Sequence, residues 1–375
     1  MKKFKALTAI LLSLLFVFFA VASGGTGGGG GGDSEDPDVP NGPVTNEGGD
    51  GLVLADILAM GGEAYDFSDG YAFVESSEDA HNYYIINTDG AVVGYTERYC
   101  AYSKFSHGLA ISREPEIVID YTGAELDLGL DDTMTPCLIT SDGNILVSQA
   151  KDTGDSYTYA LGVISKYGEW VCGLVELPFS GYPEYYRFYY EDLGENVYSM
   201  NIYHYGDNSV YGQSIAEQFV FNADNGSYIS IYEDASESTI SNFKNGKAVL
   251  CLSVNDNKYD QQIVSLKKSD FSKTVLGTAK KGKITRQDGE AVFFYKDSTR
   301  QGYYDTNFNL IIDVTGVAGT FGDYYNGYAA AILKDSSGAN LLAILNKSGK
   351  YAFDPINIDS SDLAFGEGII GYEKT

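Results

Sequence analysis

The chain has 375 residues and a formal net charge of −27, with 31 tyrosines, 19 phenylalanines and 44 glycines against only 8 prolines. A surface this acidic repels phosphate backbones and anionic lipid, which disfavours nucleic-acid binding and peripheral membrane binding. The length allows one large or two ordinary domains. The aromatic and glycine content favours many short β-strands joined by tight turns.

Residues 1–22 are predicted to be a signal peptide that directs export. Residues 1–5 are basic, residues 6–19 form an almost unbroken apolar run, and a small-x-small pattern ends at Ala22, so cleavage is expected before Ser23. The alternative is a retained membrane anchor, because the apolar stretch reaches the lower length limit for a spanning helix. No membrane insertion is expected after cleavage.

Residues 23–50 are predicted to be a disordered tether. The first ten are nearly all glycine and the rest are acidic with three prolines, so neither part can bury apolar area. The segment before it resembles the start of a lipoprotein lipobox, but Gly24 stands where the lipid-bearing cysteine is required. The tether leads into a folded region, residues 51–375, whose one short helix candidate is residues 52–60.

A first short element recurs through the folded region. It consists of an aromatic residue, two further positions of which the second is polar, glycine, any residue, alanine and then alternating apolar residues. Its glycine position is occupied by Gly70, Gly108, Gly246, Gly289, Gly327 and Gly368. The steps are near 40 residues except for one of 138, which is three steps of 46 and predicts two further, degenerate copies.

A second element follows the first within several units. It consists of an apolar residue, a short polar residue, a two-residue turn, glycine, any residue and another apolar residue. Its glycines are Gly90, Gly123, Gly143, Gly168 and Gly349, and residues 304–310 form a version without the glycine. Turns of this kind need positive φ, and the polar residue before the turn can bond to the turn backbone.

These repeats predict an all-β protein built from tandem units of about 40 residues. A lone hairpin cannot bury its apolar face, so the units are expected to stack on one another. The favoured arrangement is a β-propeller of about seven blades, whose final half-repeat pairs with the first unit. An open β-repeat stack is the alternative.

The two elements together resemble the WG-repeat (KWG) family of bacterial proteins, whose units read approximately F-x-[DE]-G-L-A-x-V and then W-G-[YF]-I-[DN]-x-x-G-K-x-[VI]. The resemblance covers about residues 66–372 and implies a divergent member. The namesake Trp-Gly is missing, because the single tryptophan, Trp170, lies elsewhere and tyrosines such as Tyr84 and Tyr303 take its positions. The resemblance implies an interaction scaffold rather than a defined activity.

The residues that usually carry metal or acid–base chemistry form no recognisable motif. The three histidines lack metal-binding spacing, and His107 is interpreted as a turn residue. The four cysteines lack C-x-x-C spacing, so no metal or cofactor is predicted. Two disulfides in any of three pairings are possible, but buried free thiols are favoured, with residues 170–172 and 249–252 as buried strand positions. The cysteines are Cys100, Cys137, Cys172 and Cys251.

The tyrosine-rich segment 182–211 is the one unusual surface candidate. An aromatic platform for glycan or peptide is one interpretation, since tyrosine offers stacking area and a polar tip. The competing interpretation places these tyrosines in the core of a diverged repeat. The proposed binding residues are Tyr182, Tyr185, Tyr186, Tyr189 and Tyr190.

These observations predict an exported, surface-associated, non-enzymatic scaffold that binds an extracellular protein or a cell-wall or host glycan. A secreted carbohydrate-active enzyme is the alternative, because propellers can hold carboxylate pairs in a central pocket. Acidic pairs such as Glu114 with Glu116 are interpreted as solvated surface charge. A purely structural component of a cell-wall assembly is the third possibility.

Overall fold

A computed structural model describes residues 63–75, 82–101, 103–113, 115–204, 214–232, 238–254, 257–280, 282–287, 292–325, 327–358, 364–366 and 369–371. The predicted signal peptide, tether and short helix lie outside these residues. The chain divides into two compact units. Among the described residues, the first comprises those within 63–130 and 135–139, and the second comprises those within 131–134 and 140–371.

The described chain is built almost entirely of short strands. The first unit begins with β1 (Glu63–Ala64), β2 (Tyr71–Glu75), β3 (Tyr83–Asn87), β4 (Val92–Thr96), β5 (Leu109–Ile111) and β6 (Val118–Asp120). Strand β7 (Met134–Ile139) contains the boundary between the units. The second unit continues with β8 (Ile145–Asp152), β9 (Tyr157–Ile164), β10 (Trp170–Ser180), a 3-10 turn (Pro183–Tyr185), β11 (Tyr186–Asp192), β12 (Val197–His204), β13 (Ser214–Asn222) and β14 (Ser227–Ser230). The remaining strands are β15 (Thr239–Ile240), β16 (Lys247–Val254), β17 (Asn257–Lys267), β18 (Lys273–Lys280), β19 (Lys283–Gln287), β20 (Val292–Lys296), β21 (Gln301–Asp305), β22 (Leu310–Asp313), β23 (Gly319–Tyr325), β24 (Tyr328–Lys334), β25 (Asn340–Asn346), β26 (Ile356–Ile358), β27 (Ala364–Gly366) and β28 (Ile369–Gly371).

The strands form a series of antiparallel meanders in which the order in each sheet follows the chain. Six sheets have four strands (β1–β4, β7–β10, β11–β14, β15–β18, β19–β22 and β23–β26), and two have two strands (β5–β6 and β27–β28). The prediction of an all-β protein made of tandem β-repeats is thereby confirmed. Sheets β7–β10 and β11–β14 occupy the interval of 138 residues, which agrees with the two degenerate copies expected there.

The first sequence element forms a two-residue hairpin turn. Asp69 and Gly70 both have positive φ (51° and 80°), and Ser68 exchanges two backbone hydrogen bonds with Tyr71 (2.9 and 3.0 Å). The turn at His107 has the same conformation, with φ of 53°. These are the torsions of a type I′ turn, whose twist matches that of the flanking strands. The interpretation of His107 as a turn residue is confirmed.

The second element forms a longer turn closed by a side chain. Asn87 Oδ1 accepts hydrogen bonds from the backbone N–H groups of Asp89 and Ala91, both at 3.0 Å, and Gly90 has a φ of +76°. The predicted bond between the short polar residue and the turn backbone is confirmed. In the version without glycine, Phe308 itself takes a φ of +62°, which is strained for a bulky side chain.

Successive sheets of the second unit bury their apolar faces against one another. One cluster joins Val197 and Val220 of sheet β11–β14 to Leu250 of sheet β15–β18. Another joins Phe294 of sheet β19–β22 to Phe321 of sheet β23–β26. The predicted stacking of units is therefore present within the second unit, where each of these clusters joins two successive sheets.

The cysteine segments differ in their burial. Residues 249–252 are buried in β16 as predicted, and burial raises the pKa of the Cys251 thiol to about 12. The prediction was wrong for residues 170–172, because β10 is the edge strand of its sheet and leaves Trp170 and Val171 exposed. Cys100, Cys137, Cys172 and Cys251 are all free thiols in the structure.

Candidate functional site

The tyrosine-rich surface begins where the chain passes from one sheet to the next. Strand β10 ends at Ser180, and Pro183 starts the 3-10 turn because its fixed φ suits the first helical position. The Tyr186 N–H donates to the Pro183 carbonyl, which closes the turn and starts β11. The turn is therefore followed directly by β11, with no further connecting residues.

Three tyrosines stand edge to face in a row at this passage, and we call Tyr157, Tyr182 and Tyr185 the tyrosine ladder. The ring centroids of Tyr157 and Tyr182 lie 6.2 Å apart, and those of Tyr182 and Tyr185 lie 6.1 Å apart at 85°. The Gly181 N–H donates to the Tyr157 carbonyl at 3.0 Å, which fixes the backbone under the row. Tyr182 is 39% exposed and Tyr185 is 49% exposed, so the ladder offers ring surface to solvent.

The rings behind the ladder form a packed aromatic layer. The Tyr186 ring meets Phe179 edge to face at 5.1 Å and His204, its partner across β11 and β12, at 5.4 Å. Tyr159 donates its hydroxyl to the Gly181 carbonyl at 3.0 Å. Burial, and then the neighbouring phenols of Tyr186 and Tyr157, raise the pKa of Tyr159 to about 12. The Tyr159 hydroxyl thus links this layer to the backbone that immediately precedes Tyr182.

Gly181 is required by the close approach of the Tyr186 ring. A Cβ atom at position 181 would lie 2.4 Å from Cε2 of Tyr186, and that ring is confined between Phe179 and His204. We expect Gly181→Ala to lower the free energy of unfolding by about 1–3 kcal/mol, the usual cost of overpacking, in denaturant titrations.

The matched control for this substitution is Gly173→Ala in the adjoining strand β10. A Cβ atom at position 173 would meet no atom within 4 Å. Its effect is expected to stay within about 0.5 kcal/mol, as for most surface positions. Equal losses at the two positions would contradict the role given to the Tyr186 ring.

The opposite face of β11 carries a second, smaller aromatic surface. Tyr189 is 49% exposed and meets Tyr203 edge to face at 5.3 Å. In register beside Tyr189 lie Asn201 and then Gln218, both nearly fully buried. Their side-chain oxygens accept no hydrogen bond from any residue in the described part of the chain. Water is the simplest partner for such groups.

The five tyrosines named from the sequence therefore do not form one platform. Tyr182 and Tyr185 belong to the ladder, Tyr186 and Tyr190 are half-buried on the face that packs against the preceding sheet, and Tyr189 lies on the opposite face. Adjacent tyrosines in one strand must point to opposite faces, which explains the division. The sequence analysis missed Tyr157, because nothing in the sequence around this residue of β9 indicates that its ring packs against Tyr182.

The described residues hold no group of three or more histidine, cysteine, aspartate or glutamate side chains that could bind a metal ion. Within the same residues no helix is long and apolar enough to cross a membrane. The ladder presents phenol rings and hydroxyl groups, which can bind a ligand by stacking and by hydrogen bonding.

Comparison with known proteins gives a fold likeness alone. No protein-family model matches the chain, and no curated protein matches it significantly. A eukaryotic initiation factor is 13% identical with a TM-score of 0.44, over 76% of this chain and 72% of that chain. An acylaminoacyl peptidase of Pyrococcus horikoshii is 9% identical with a TM-score of 0.38, over 78% of this chain and 46% of that chain. An uncharacterised protein of Listeria monocytogenes EGD-e is 12% identical with a TM-score of 0.39, over 79% and 82%.

Proposed function

We propose that this chain is an exported, surface-held, non-enzymatic binding protein that holds an extracellular glycan on the tyrosine ladder. The observation that supports the proposal most directly is that the exposed rings of Tyr182 and Tyr185 are packed edge to face in one row with Tyr157. Rings that are ordered before binding lose little conformational entropy when a ligand arrives. The apolar amino-terminal run supports export.

A glycan suits this surface better than a charged polymer does. A sugar ring presents C–H groups on its faces and hydroxyl groups at its edge, and a tyrosine offers an aromatic face and a hydroxyl group. The net charge of −27 opposes the approach of anionic polymers. We therefore expect the ladder to prefer a neutral glycan.

The test is binding of the purified protein to an array of glycans and cell-wall polymers, with analysis of the products of every hit. We expect Tyr182→Ala and Tyr185→Ala each to weaken binding about tenfold, which corresponds to about 1.4 kcal/mol. The matched control is Tyr167→Ala, because that ring is 76% exposed but stands in a separate turn. Its binding is expected to equal that of the wild type.

Other outcomes of the array would overturn specific parts of the proposal. Product formation would favour the carbohydrate-active enzyme. Equal losses in the Tyr182 and Tyr167 variants would mean that the ladder is not the site, and a loss confined to Tyr189→Ala would move the site to the opposite face of β11. Absence of glycan binding would favour a protein partner or a structural role.

A further inference from the structure

One edge strand of the second unit differs from the other edge strands in length. The sheet β15–β18 ends at β18, which pairs with β17 on one side only. Strand β18 has eight residues, whereas β4, β14, β22 and β26, which end their sheets in the same way, have three to five. Very short edge strands are one means by which proteins prevent pairing with other chains. Strand β18 does not have this protection.

The outer edge of β18 is unpaired over most of its length. Among the described residues, the one backbone hydrogen bond that reaches this edge from outside the sheet runs from the Ser298 N–H to the Lys280 carbonyl at 3.3 Å. Residues 274–279 receive no such bond from the described part of the chain. An antiparallel edge presents alternating N–H and carbonyl groups, which are the groups that bind an added strand.

Strand β10 is the other long edge strand, but it is less suited to pairing. Its ladder with β9 has register shifts at three places, whereas the ladder of β18 has one, at which Leu276 is the extra residue. Bulges disrupt the regular ladder of a strand. On either side of Leu276, residues 273–275 and 277–280 of β18 stay in register with β17.

The register places Lys273, Val275, Thr278 and Lys280 on one face of the sheet, because their partners in β17 are the alternate positions 266, 264, 262 and 260. All four side chains are exposed, and Val275 is 58% exposed. The edge therefore presents an apolar side chain within a row about 20 Å long that has a lysine at each end.

These lysines belong to a basic segment in an otherwise acidic chain. Residues 257–283 contain seven lysines and two aspartates, a net charge of +5, whereas the whole chain carries −27. Both aspartates, at positions 260 and 270, lie beside lysines of the segment, and Lys268 pairs with Asp224 of the preceding sheet. Seven lysines against three aspartates leave a positive surplus. At physiological salt a Debye length of about 8 Å screens distant acidic residues, so the segment attracts an acidic partner.

We propose that β18 binds an acidic, extended segment of a partner protein as an added strand. The backbone of that segment pairs with the outer edge of residues 274–279, an apolar side chain packs against Val275, and carboxylates face Lys273 and Lys280. The same two lysines repel the β18 edge of a second copy, so they disfavour self-association and admit an acidic strand. The proposal does not depend on the tyrosine ladder, which involves β9 and the 3-10 turn.

The experiment measures binding of the full purified protein to labelled eight-residue peptides by fluorescence anisotropy. The probe alternates valine with threonine and has glutamate at both ends. One matched peptide has lysine at both ends, and the other is the probe N-methylated on all internal amides. We expect the probe to bind at least tenfold more tightly than either matched peptide, since one reverses the charge and the other removes the N–H donors. Binding should also slow amide hydrogen exchange in residues 274–279.

Substitutions in β18 test the contribution of its side chains. The double variant Lys273→Gln with Lys280→Gln is expected to weaken binding of the probe about fivefold, because each exposed ion pair contributes little. Val275→Thr keeps the β-branched shape but replaces an apolar contact, and a loss of about threefold is expected. The matched controls are Lys350→Gln, at an exposed position between β25 and β26, and Val171→Thr, at a position of β10 that is 53% exposed. Both controls should bind the probe like the wild type.

Contrary results would overturn stated parts of the proposal. Equal binding of the glutamate and lysine peptides would refute the selection of acidic strands, and undiminished binding of the N-methylated peptide would refute strand addition. A loss in Val171→Thr without one in Val275→Thr would move the binding edge to β10. Absence of binding by the probe would refute the proposal as a whole. All of these variants change exposed side chains and are expected to fold normally.

Discussion

Replacement of Asp297 by alanine is expected to lower the free energy of unfolding by about 2–4 kcal/mol. Its side chain is only 2% exposed. Oδ1 accepts hydrogen bonds from the N–H and hydroxyl groups of Thr299 and from the Arg300 N–H, and Oδ2 accepts from Tyr295 and Arg300. Removing one partner of a buried pair costs about 3–5 kcal/mol, and partial hydration of Arg300 reduces this figure.

Two variants separate the ion pair from the turn. Asp335 closes a similar turn, with bonds from Ser337 and Ala339, but no ion pair to it is present among the described residues. Asp335→Ala is therefore expected to cost only about 1 kcal/mol. Asp297→Asn keeps one acceptor and loses the charge, so its cost should fall between the two alanine variants. Denaturant titration measures all three, and equal losses at positions 297 and 335 would refute the ion-pair contribution.

The same prediction has a pH dependence of known sign. Burial by itself would raise the pKa of Asp297, but hydrogen bonds from Thr299 and Arg300 outweigh it and hold the pKa below its ordinary value of 3.8. A lowered carboxyl pKa stabilises the fold above the unfolded pKa, and this stability is lost as the pH falls through the folded pKa. The difference between wild type and Asp297→Asn should be full near neutral pH and shrink below about pH 4.

The repeat architecture could be predicted from the sequence because its signals are local. An Asp-Gly or Asn-Gly pair between apolar runs specifies a hairpin turn through torsions that few other residues adopt. The polar residue before the second turn acts on backbone groups two and four positions away, as Asp120 does on Thr122 and Ala124. Such signals need no knowledge of the rest of the chain.

The candidate site could be predicted only in part: Tyr182 and Tyr185 stand out in a tyrosine-rich segment, whereas Tyr157 comes from an earlier strand and joins them only through the fold. The sequence around Asp297 and Arg300 predicts an ordinary polar turn. A groove forms beside this turn only because the β17–β18 hairpin lies next to it. The left-handed φ of Phe308 contradicts its local preference and is offset by ring contacts with Tyr304 and Tyr295. Local rules fail where tertiary contacts offset the strain.

The second large effect is expected at Phe294, which joins two consecutive sheets. Its ring is stacked on Phe321 of the next sheet at 5.2 Å and meets Tyr303 edge to face at 5.0 Å. Phe294 is 5% exposed, so truncation leaves a cavity that neighbouring side chains cannot fill. We expect Phe294→Ala to lower the free energy of unfolding by about 3–5 kcal/mol.

The arrangement of the sheets makes this loss informative about cooperativity. If sheets β19–β22 and β23–β26 unfold together, Phe294→Ala should shift a single denaturation transition without changing its slope. Phe294→Leu restores most of the volume and should cost less than half as much, while Leu310→Ala, at an exposed position of the same sheet, should stay within about 0.5 kcal/mol. A second transition in Phe294→Ala would instead show that each sheet gains much of its stability from its nearest neighbour, as in a linear repeat array.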